Sequence, residues 1–328
     1  MATIKDVAAR ANVSFKTVAR VLNGEPHVSS ELIARVRSAV TELGYRPTEA
    51  ARQLASKKSN VIAAPIYPFA ASFVSRMLIS LTKECRHRRY YLLPEVLDSR
   101  EQLLDWTSQM PVEPHAVILF APFSDDMEII EALERQKIPL VRIAPSIPGY
   151  GIPVPVSDFA VSKELMQHLL GLGHRRIGLI APPPPIAATE ERVDAYCAAL
   201  SEAGIAYDDA LVIRGDFIFQ GGVNATRTLM ALENPPTAIF ATSDYMALGV
   251  LAFAVEHGIR VPEELAIAGF DDSLEASMVF PALTSVLQPI EDIARVAVEA
   301  AIAHSPVELD FKHRLVVRGS TFRVRSAG

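Results

Sequence analysis

Three side chains in the second half of the chain provide a hydrogen-bond acceptor, a donor and an aromatic face. Asp271 lies in the string AGFDDS, Phe217 ends LVIRGDF, and Arg192 follows the loop APPPPIAATEE. Vicinal hydroxyls could satisfy both charged groups while the C–H face of a ring packs on the phenyl group, so the set suits a polyhydroxylated ring. Plainer roles stay open: Asp271 could cap a helix, Phe217 could be core, and Arg192 could form a surface ion pair.

From Ser59 onward, short apolar runs alternate with amphipathic stretches of about 10 to 15 residues. The runs begin near residues 61, 91, 116 and 139, and a second series begins near 177, 211, 238 and 265. This pattern predicts two doubly wound subdomains, each a parallel sheet covered by helices on both faces. Ligands of such folds bind beyond the carboxyl ends of the strands. The candidate site is therefore the cleft between the subdomains, with Phe73, Ser124, Arg192, Phe217, Ser243, Asp244 and Asp271; Asp244 could instead only cap a helix.

The first 45 residues predict three short helices. Helix caps and ends are expected at Thr3, Asn12, Ser14, Ser30 and Gly44, from their residue types and the apolar stripes between them. The stripe of the third helix is expected to run from Leu32 to Leu43. A tight turn between the first two helices makes a helix-turn-helix, which reads DNA in the major groove. A three-helix bundle with a solvated basic face is the open alternative.

The string GYRPTEAARQLASKK predicts one more helix, Thr48 to Ser56, which is too short to be stable alone. It carries Arg52 and the solitary apolar Leu54, and Lys57 follows it. A leucine on a marginal basic helix indicates a wedge that enters the minor groove and folds only on contact with DNA.

Charge is unevenly distributed. Residues 1–58 carry a net charge of +5 and the remainder −11, which suits a phosphate-binding head on a body with another task. The N-terminus lacks a secretory core, no apolar run could span a membrane, and Cys85 and Cys197 lie far apart. We therefore expect a cytoplasmic protein, nucleoid-associated when bound to DNA, without membrane contact. The expected domains are 1–46, a hinge at 47–58, and a body at 59–328, divided into subdomains of about 59–156 plus 289–314 and 157–288 plus 315–328.

The strings TIKDVAARANVSFKTVARVLN and GYRPTEAARQL resemble the DNA-binding head and hinge of the lactose-repressor (LacI/GalR) family of bacterial transcription regulators. The strings LGHRRIGLI, ATSDYMALGVL, VPEELAIAGFDD and PALTSVLQP resemble its effector-binding core, which is itself similar to periplasmic sugar-binding proteins. The resemblance covers essentially the whole chain. It implies a repressor that binds a near-palindromic operator as a homodimer and responds to a small effector.

The resemblance also assigns roles to residues. Phe15, Lys16 and Arg20 would face the major groove, Thr17 and Asn23 would help to anchor their helix, and Leu54 of each subunit would enter the operator centre. Arg192 and Asp271 match effector contacts, and Phe217 matches the aromatic stacking position. The full set expected at DNA is Thr3, Ser14, Phe15, Lys16, Thr17, Arg20, Asn23, His27, Arg52, Leu54 and Lys57.

Phe15 departs modestly from the family pattern, in which a polar residue or tyrosine is common there, and the body departs from it at three places. Ala144-Pro145 stands where relatives often have an acidic effector contact, Ser157-Asp158 replaces the common Asp-Asn, and residues 182–185 are four prolines. A cleft wall with fewer polar groups favours a sugar or glycoside with an apolar portion. On the first body helix, Met77, Leu78 and Leu81 are candidates for a dimer interface, with packing on their own sheet as the alternative.

Two rival functions are a cleft hydrolase and a sugar-binding transport protein without a DNA role. We find no G-x-S-x-G elbow, no clustered metal-ligand spacing and no phosphate-binding glycine loop in the sequence. We therefore expect no catalytic residue, metal or cofactor. The basic head opposes the transport protein.

Overall fold

The computed structural model describes residues 2–22, 28–45, 59–66, 71–182 and 187–321. The chain divides into two units, Met1–Ser59 and Asn60–Gly328, which we call the head and the body. The hinge at 47–58, and with it Arg52, Leu54 and Lys57, lies outside the described residues. Asn23 and His27 lie outside them as well.

The head contains α1 (Ile4–Ala11), α2 (Phe15–Leu22) and α3 (Ser30–Glu42). The expected capping box is confirmed, because the Thr3 hydroxyl accepts from the Asp6 amide at 3.3 Å and the Asp6 carboxylate accepts from the Thr3 amide at 2.7 Å. Asn12, in the left-handed region, ends α1. The Ser14 hydroxyl accepts from the Thr17 amide at 3.1 Å and begins α2. The caps predicted from the sequence therefore mark the start and end of α1 and the start of α2.

Two details of α3 differ from expectation. Its cap is Ser29, whose hydroxyl accepts from the Leu32 amide, and Ser30 is the first helical residue. Leu43 was expected in the core but is 37% exposed, and Tyr45 is buried instead. The reason is Gly44, which follows the helix at φ 57° and turns the chain so that Tyr45 reaches the core.

The first sheet of the body is parallel, with strand order β2-β1-β3-β4-β5. Its strands are β1 (Val61–Ile66), β2 (Tyr91–Val96), β3 (Ala116–Leu119), β4 (Leu140–Ile143) and β5 (Ile152–Val154). The helices between them are α4 (Ala71–His87), α5 (Arg100–Ser108) and α6 (Met127–Arg135). The strands β3 and β4 are buried along their whole length, as expected for a parallel sheet covered on both faces.

The second sheet is also parallel, with order β7-β6-β8-β9. Its strands are β6 (Ile177–Ala181), β7 (Val212–Arg214), β8 (Ala238–Ala241) and β9 (Ala266–Ala268). Its helices are α7 (Phe159–Gly171), α8 (Ala187–Glu202), α9 (Phe219–Met230), α10 (Asp244–Glu256) and α11 (Leu274–Met278). The predicted two-subdomain α/β class is confirmed.

The last elements tie the two subdomains together. β10 (Ser285–Leu287) and β11 (Arg314–Val316) form an antiparallel pair beside the second sheet, and α12 (Ile290–Ala303) returns to the core of the first. In the described part of the chain, the subdomains are thus joined after β5, after β10 and before β11. Within that part, no helix is long and apolar enough to cross a membrane.

The suggestion that Met77 and Leu81 form a dimer interface is wrong. Both are fully buried in the core between the first sheet, α4 and α12. Leu78 is partly buried against the same core. Among the described side chains of α4, the exposed large apolar one is Ile79.

Two glycines let α9 and α10 approach closely. A Cβ on Gly222 would overlap the Met246 carbonyl oxygen and lie 2.8 Å from the Met246 Cα. A Cβ on Gly249 would overlap the Phe219 carbonyl oxygen in the same way. This contact fixes α10, whose first residues stand beside the candidate cleft.

Candidate nucleic-acid interface and ligand cleft

The helix α2 presents one basic face to solvent. Lys16 and Arg20 are exposed and lie one turn apart, and Phe15 is 54% exposed. The opposite face holds Val18 and Val21 in the core of the head. Cationic side chains on a rigid, solvent-facing helix suit contact with phosphates and base edges.

Among the described residues, Thr3, Ser14 and Thr17 are the other head residues expected at DNA, and they take part in helix capping. The Thr3 hydroxyl is part of the capping box, and the Ser14 and Thr17 hydroxyls lie 3.0 Å apart at the start of α2. Sequence reasoning missed Arg35. Its guanidinium donates to the carbonyls of Ala11 and Asn12 at 2.6 and 3.2 Å, so α3 fixes the turn that orients α2.

In the body, Arg192 lies buried where the strands of the second sheet end. Its Nε and Nη2 both lie 2.8 Å from Asp158 Oδ2, and its Nη1 donates to the Thr242 carbonyl at the end of β8. The guanidinium carbon stands 3.6 Å from the centre of the Phe270 ring. Arg192 therefore does not form the ordinary surface pair that the sequence left open.

The partner of Arg192 comes from the first connection between the subdomains. Asp158 precedes α7, and its own amide and that of Phe159 donate to Glu191 Oε2 at 2.7 and 3.0 Å. Glu191 thus serves the helix terminus, which leaves the Asp158 carboxylate for Arg192. On its other side, Asp158 Oδ1 is 3.1 Å from His313 Nε2, which belongs to the last connection. The cluster joins two connecting segments to the sheet edge.

Asp271 stands at the same edge and touches both subdomains. Its carboxylate accepts from Gln288 Nε2 at 2.6 Å, in the connection after β10. Its carbonyl accepts from Arg76 of α4 at 2.6 Å, across the cleft. Burial raises the pKa of Asp271, and the positive charge of Arg192 offsets part of that rise. The neighbouring guanidinium thus acts on Asp271 although it does not bind it.

The backbone at this edge is held in a conformation that non-glycine residues rarely adopt. Asp271 has φ 118°, Asp272 φ 49° and Phe217 φ 63°. Such conformations persist only where the surroundings impose them, and they concentrate at functional sites.

Ser243 and Asp244 serve the internal structure. The Ser243 hydroxyl caps α10 by accepting from the Met246 amide. Asp244 is fully buried and accepts from the Ser273 amide and the Ser285 hydroxyl at 2.6 Å each. Burial, followed by the charge of Asp271, raises the pKa of Asp244. Asp244 is thus a buried support of the segment that carries Asp271.

The aromatic and first-subdomain candidates are less accessible than expected. Phe217 is buried in a core cluster with Met246. Phe73, at the start of α4, stands edge-to-face with Phe120 at 6.3 Å. Ser124 is buried in a short turn, and its carbonyl accepts from Arg142. Phe73 and Phe120 are thus the apolar residues that the structure places together on the first-subdomain side of the candidate cleft.

Sequence reasoning missed Arg76, Gln288 and His313, and it noted Asp158 only as a departure from a pattern. Each contacts a residue at least 17 positions away, so no local spacing points to the contact. The one signal was the charge of Arg76 inside the otherwise uncharged string FVSRMLISL. Among the described residues, no group of three or more His, Cys, Asp or Glu could hold a metal ion. The edge of the second sheet offers hydrogen-bonding groups, and the other subdomain offers the apolar pair of Phe73 and Phe120. Such a combination suits the binding of a small molecule.

Comparison with protein families gives two matches. A model of bacterial regulatory proteins, lacI family, matches residues 3–48, and a model of a periplasmic binding protein-like domain matches residues 166–321.

Among curated proteins, the chain is 32% identical to catabolite control protein A of Priestia megaterium, over 97% of this chain and 99% of that protein. It is also 32% identical to the HTH-type transcriptional regulator CelR of Thermobifida fusca, over 97% and 98%. The ribose operon repressor of Escherichia coli K12 is 30% identical, over 92% of each chain.

Among solved structures, a CelR–cellobiose complex superposes with a TM-score of 0.73 at 30% identity, covering 98% of this chain and all of that one. A lac repressor dimer bound to operator and the anti-inducer ONPF has a TM-score of 0.83 at 24% identity, covering 98% and 99%. The second likeness concerns the fold alone.

Proposed function

Because the chain belongs to the lacI family of bacterial regulatory proteins, and is thus a DNA-binding transcriptional regulator and not an enzyme, we propose that it is a repressor. It binds a near-palindromic operator as a dimer, and a sugar or glycoside in the body cleft controls that binding. As a protein that acts on the chromosome, it works in the cytoplasm, at the nucleoid when bound to its operator.

The observation that carries the effector proposal is the arrangement around Arg192 and Asp271. The buried guanidinium of Arg192 and the buried carboxylate of Asp271 both lie at the carboxyl ends of the strands of the second sheet, where doubly wound folds bind ligands. An apolar wall containing Phe73 and Phe120 belongs to the other subdomain. Hydroxyl groups fit the charged edge, and an apolar sugar face or aglycone fits the wall. The cellobiose bound by the structural relative CelR is of this class.

Exposed apolar residues on the body support the proposed dimer. Leu274 and Met278 lie one turn apart on α11, are each more than two-thirds exposed, and precede Phe280, which is 95% exposed. On the first subdomain, Ile79 and Tyr91 are exposed as well. Single exposed apolar residues are ordinary, but a run such as this on a surface helix suits a protein interface.

The proposed mechanism couples the cleft to the hinge. Arg76 bridges the subdomains by donating to the Asp271 carbonyl, and Asp158, Gln288 and His313 tie all three connections to the cleft edge. A ligand that binds two arrangements of the subdomains with different affinity shifts the balance between them. The hinge helices, too short to fold alone, form against DNA in only one arrangement.

Gel-shift assays with genomic fragments test the DNA role. Sequence-specific, salt-sensitive binding is expected, and Lys16→Ala should lower the slope of log K against log salt by about one unit. Lys312→Ala, on the exposed surface of the body, is the matched control and should leave that slope unchanged. Leu54→Ala should weaken specific binding far more than non-specific binding. Equal loss of both would count against the wedge, and no specific binding by the natural chain would refute the proposal.

A further inference from the structure

The positive charge of Arg192 is already balanced inside the protein. Arg192 and Asp158 are 5% and 6% exposed, and two guanidinium nitrogens lie 2.8 Å from one carboxylate oxygen. One face of the guanidinium is covered by Phe270 at 3.6 Å. A ligand that approaches Arg192 therefore meets a neutral pair and not a free cation.

The carboxylate of this pair keeps its negative charge at neutral pH. Burial alone would raise the pKa of Asp158, but Arg192 and His313 outweigh burial and hold it below its usual value. Asp158 thus places one negative charge directly beside Arg192.

Two other arginines at this edge are also paired with carboxylates. Arg214, at the end of β7, binds Glu190 at 2.6 Å, and Arg318 binds Asp272 at 2.6 Å. Arg76 donates to the carbonyls of Asp271 and Asp272, and its positive charge acts on the nearby Asp271 carboxylate, whose pKa it lowers against the effect of burial. The segments 67–70 and 183–186, which lie outside the described residues, contain no charged residue in the sequence. Neither segment can therefore supply a further cation.

We propose that Asp158 is a specificity-determining residue that restricts the effector to uncharged ligands and excludes phosphate esters and sugar acids. Burying an anion without a counter-charge is strongly unfavourable, whereas hydroxyls need only hydrogen bonds. This inference rests on the proposed function, which places the effector in this cleft.

Inorganic sulfate is the first probe, because it tests the charge of the site without knowledge of the natural effector. Binding is followed on the full chain by calorimetry and by thermal shift, at constant ionic strength. Asp158→Asn should bind sulfate at least about tenfold more tightly than the natural chain, because it exposes the charge of Arg192. The double variant Asp158→Asn, Arg192→Met should lose that gain. Asp208→Asn is the control, since Asp208 forms an exposed ion pair with Arg176; it should bind like the natural chain.

Sugar pairs are the second probe: glucose with glucose 6-phosphate, and ribose with ribose 5-phosphate. The natural chain should bind the phosphate ester of neither pair more tightly than its parent sugar. A preference for an ester, Arg192-dependent sulfate binding by the natural chain, or a folded Asp158→Asn without gained sulfate binding would each overturn the inference. The measurements on the natural chain remain decisive if Asp158→Asn does not fold. If the sulfate results are as expected but neither these sugars nor a broad panel of glycosides bind, the sugar effector is refuted and the charge argument stands.

Discussion

The substitution Arg192→Met should destabilise the body more than the loss of one hydrogen bond. Methionine fills much of the space of the aliphatic part of the arginine side chain, so the main effect of the substitution is electrostatic. It leaves Asp158, 6% exposed, as an uncompensated buried charge. Breaking a buried ion pair by removing one partner typically costs about 3 to 5 kcal/mol. We expect the free energy of unfolding to fall by about that amount at pH 7.

The double variant Arg192→Met, Asp158→Asn separates the charge from the packing. Without the stranded carboxylate, it should be more stable than Arg192→Met alone by about 2 kcal/mol or more. The control cycle uses Arg260 and Glu264, an exposed pair on the surface with 69% and 47% of each side chain accessible. That pair should show a coupling below about 1 kcal/mol.

Urea unfolding provides the assay, followed in parallel by circular dichroism and by fluorescence of the single tryptophan, Trp106. Coincident transitions establish that both subdomains unfold together. The loss in free energy of unfolding caused by Arg192→Met should become smaller as the pH falls, because protonation neutralises the unpaired Asp158. A loss below about 1 kcal/mol, with no recovery in the double variant, would refute the buried-pair reasoning.

Two further predictions concern supports of the cleft. Gly222→Ala should destabilise the body by about 3 kcal/mol or more, because its Cβ meets the Met246 backbone; Gly171→Ala, with open space around it, should be neutral in the same unfolding assay, and equal effects would contradict the close-packing argument. The raised pKa of Asp244 means that its contribution is present at acid pH and lost as the pH rises from about 4 to about 7. Asp244→Asn should flatten the decline of stability over that range, and an unchanged slope would contradict the shift.

Features set by neighbouring residues could be predicted from the sequence. The capping box of Thr3 and Asp6 and the end of α1 at Asn12 depend on contacts within one turn. The strands follow from apolar runs bounded by helical patterns, so the subdomain architecture was predictable as well. Even here the predicted boundary was wrong by one residue at α3, which is capped by Ser29 and not by Ser30.

Contacts between distant segments could not be predicted in this way. The sequence suggested that Arg192 and Asp271 share one site, but it gave no sign that Asp158 neutralises Arg192 or that Arg76 crosses the cleft. These contacts depend on which strand ends meet and on the path of the connecting segments. The prediction that Met77 lies at a dimer interface was wrong for a related reason: α12, which comes from far along the chain, covers this residue.

The most direct test of the central claim measures operator and effector binding together. An operator is first selected from genomic fragments, and a sugar that binds the body is found by thermal shift. Fluorescence anisotropy then gives the operator affinity with and without saturating sugar. We predict a change of about fivefold or more in either direction, and operator DNA should change the sugar affinity by the same factor. A sugar that binds in the cleft, loses affinity in Asp271→Asn, and yet leaves operator affinity unchanged would contradict the account.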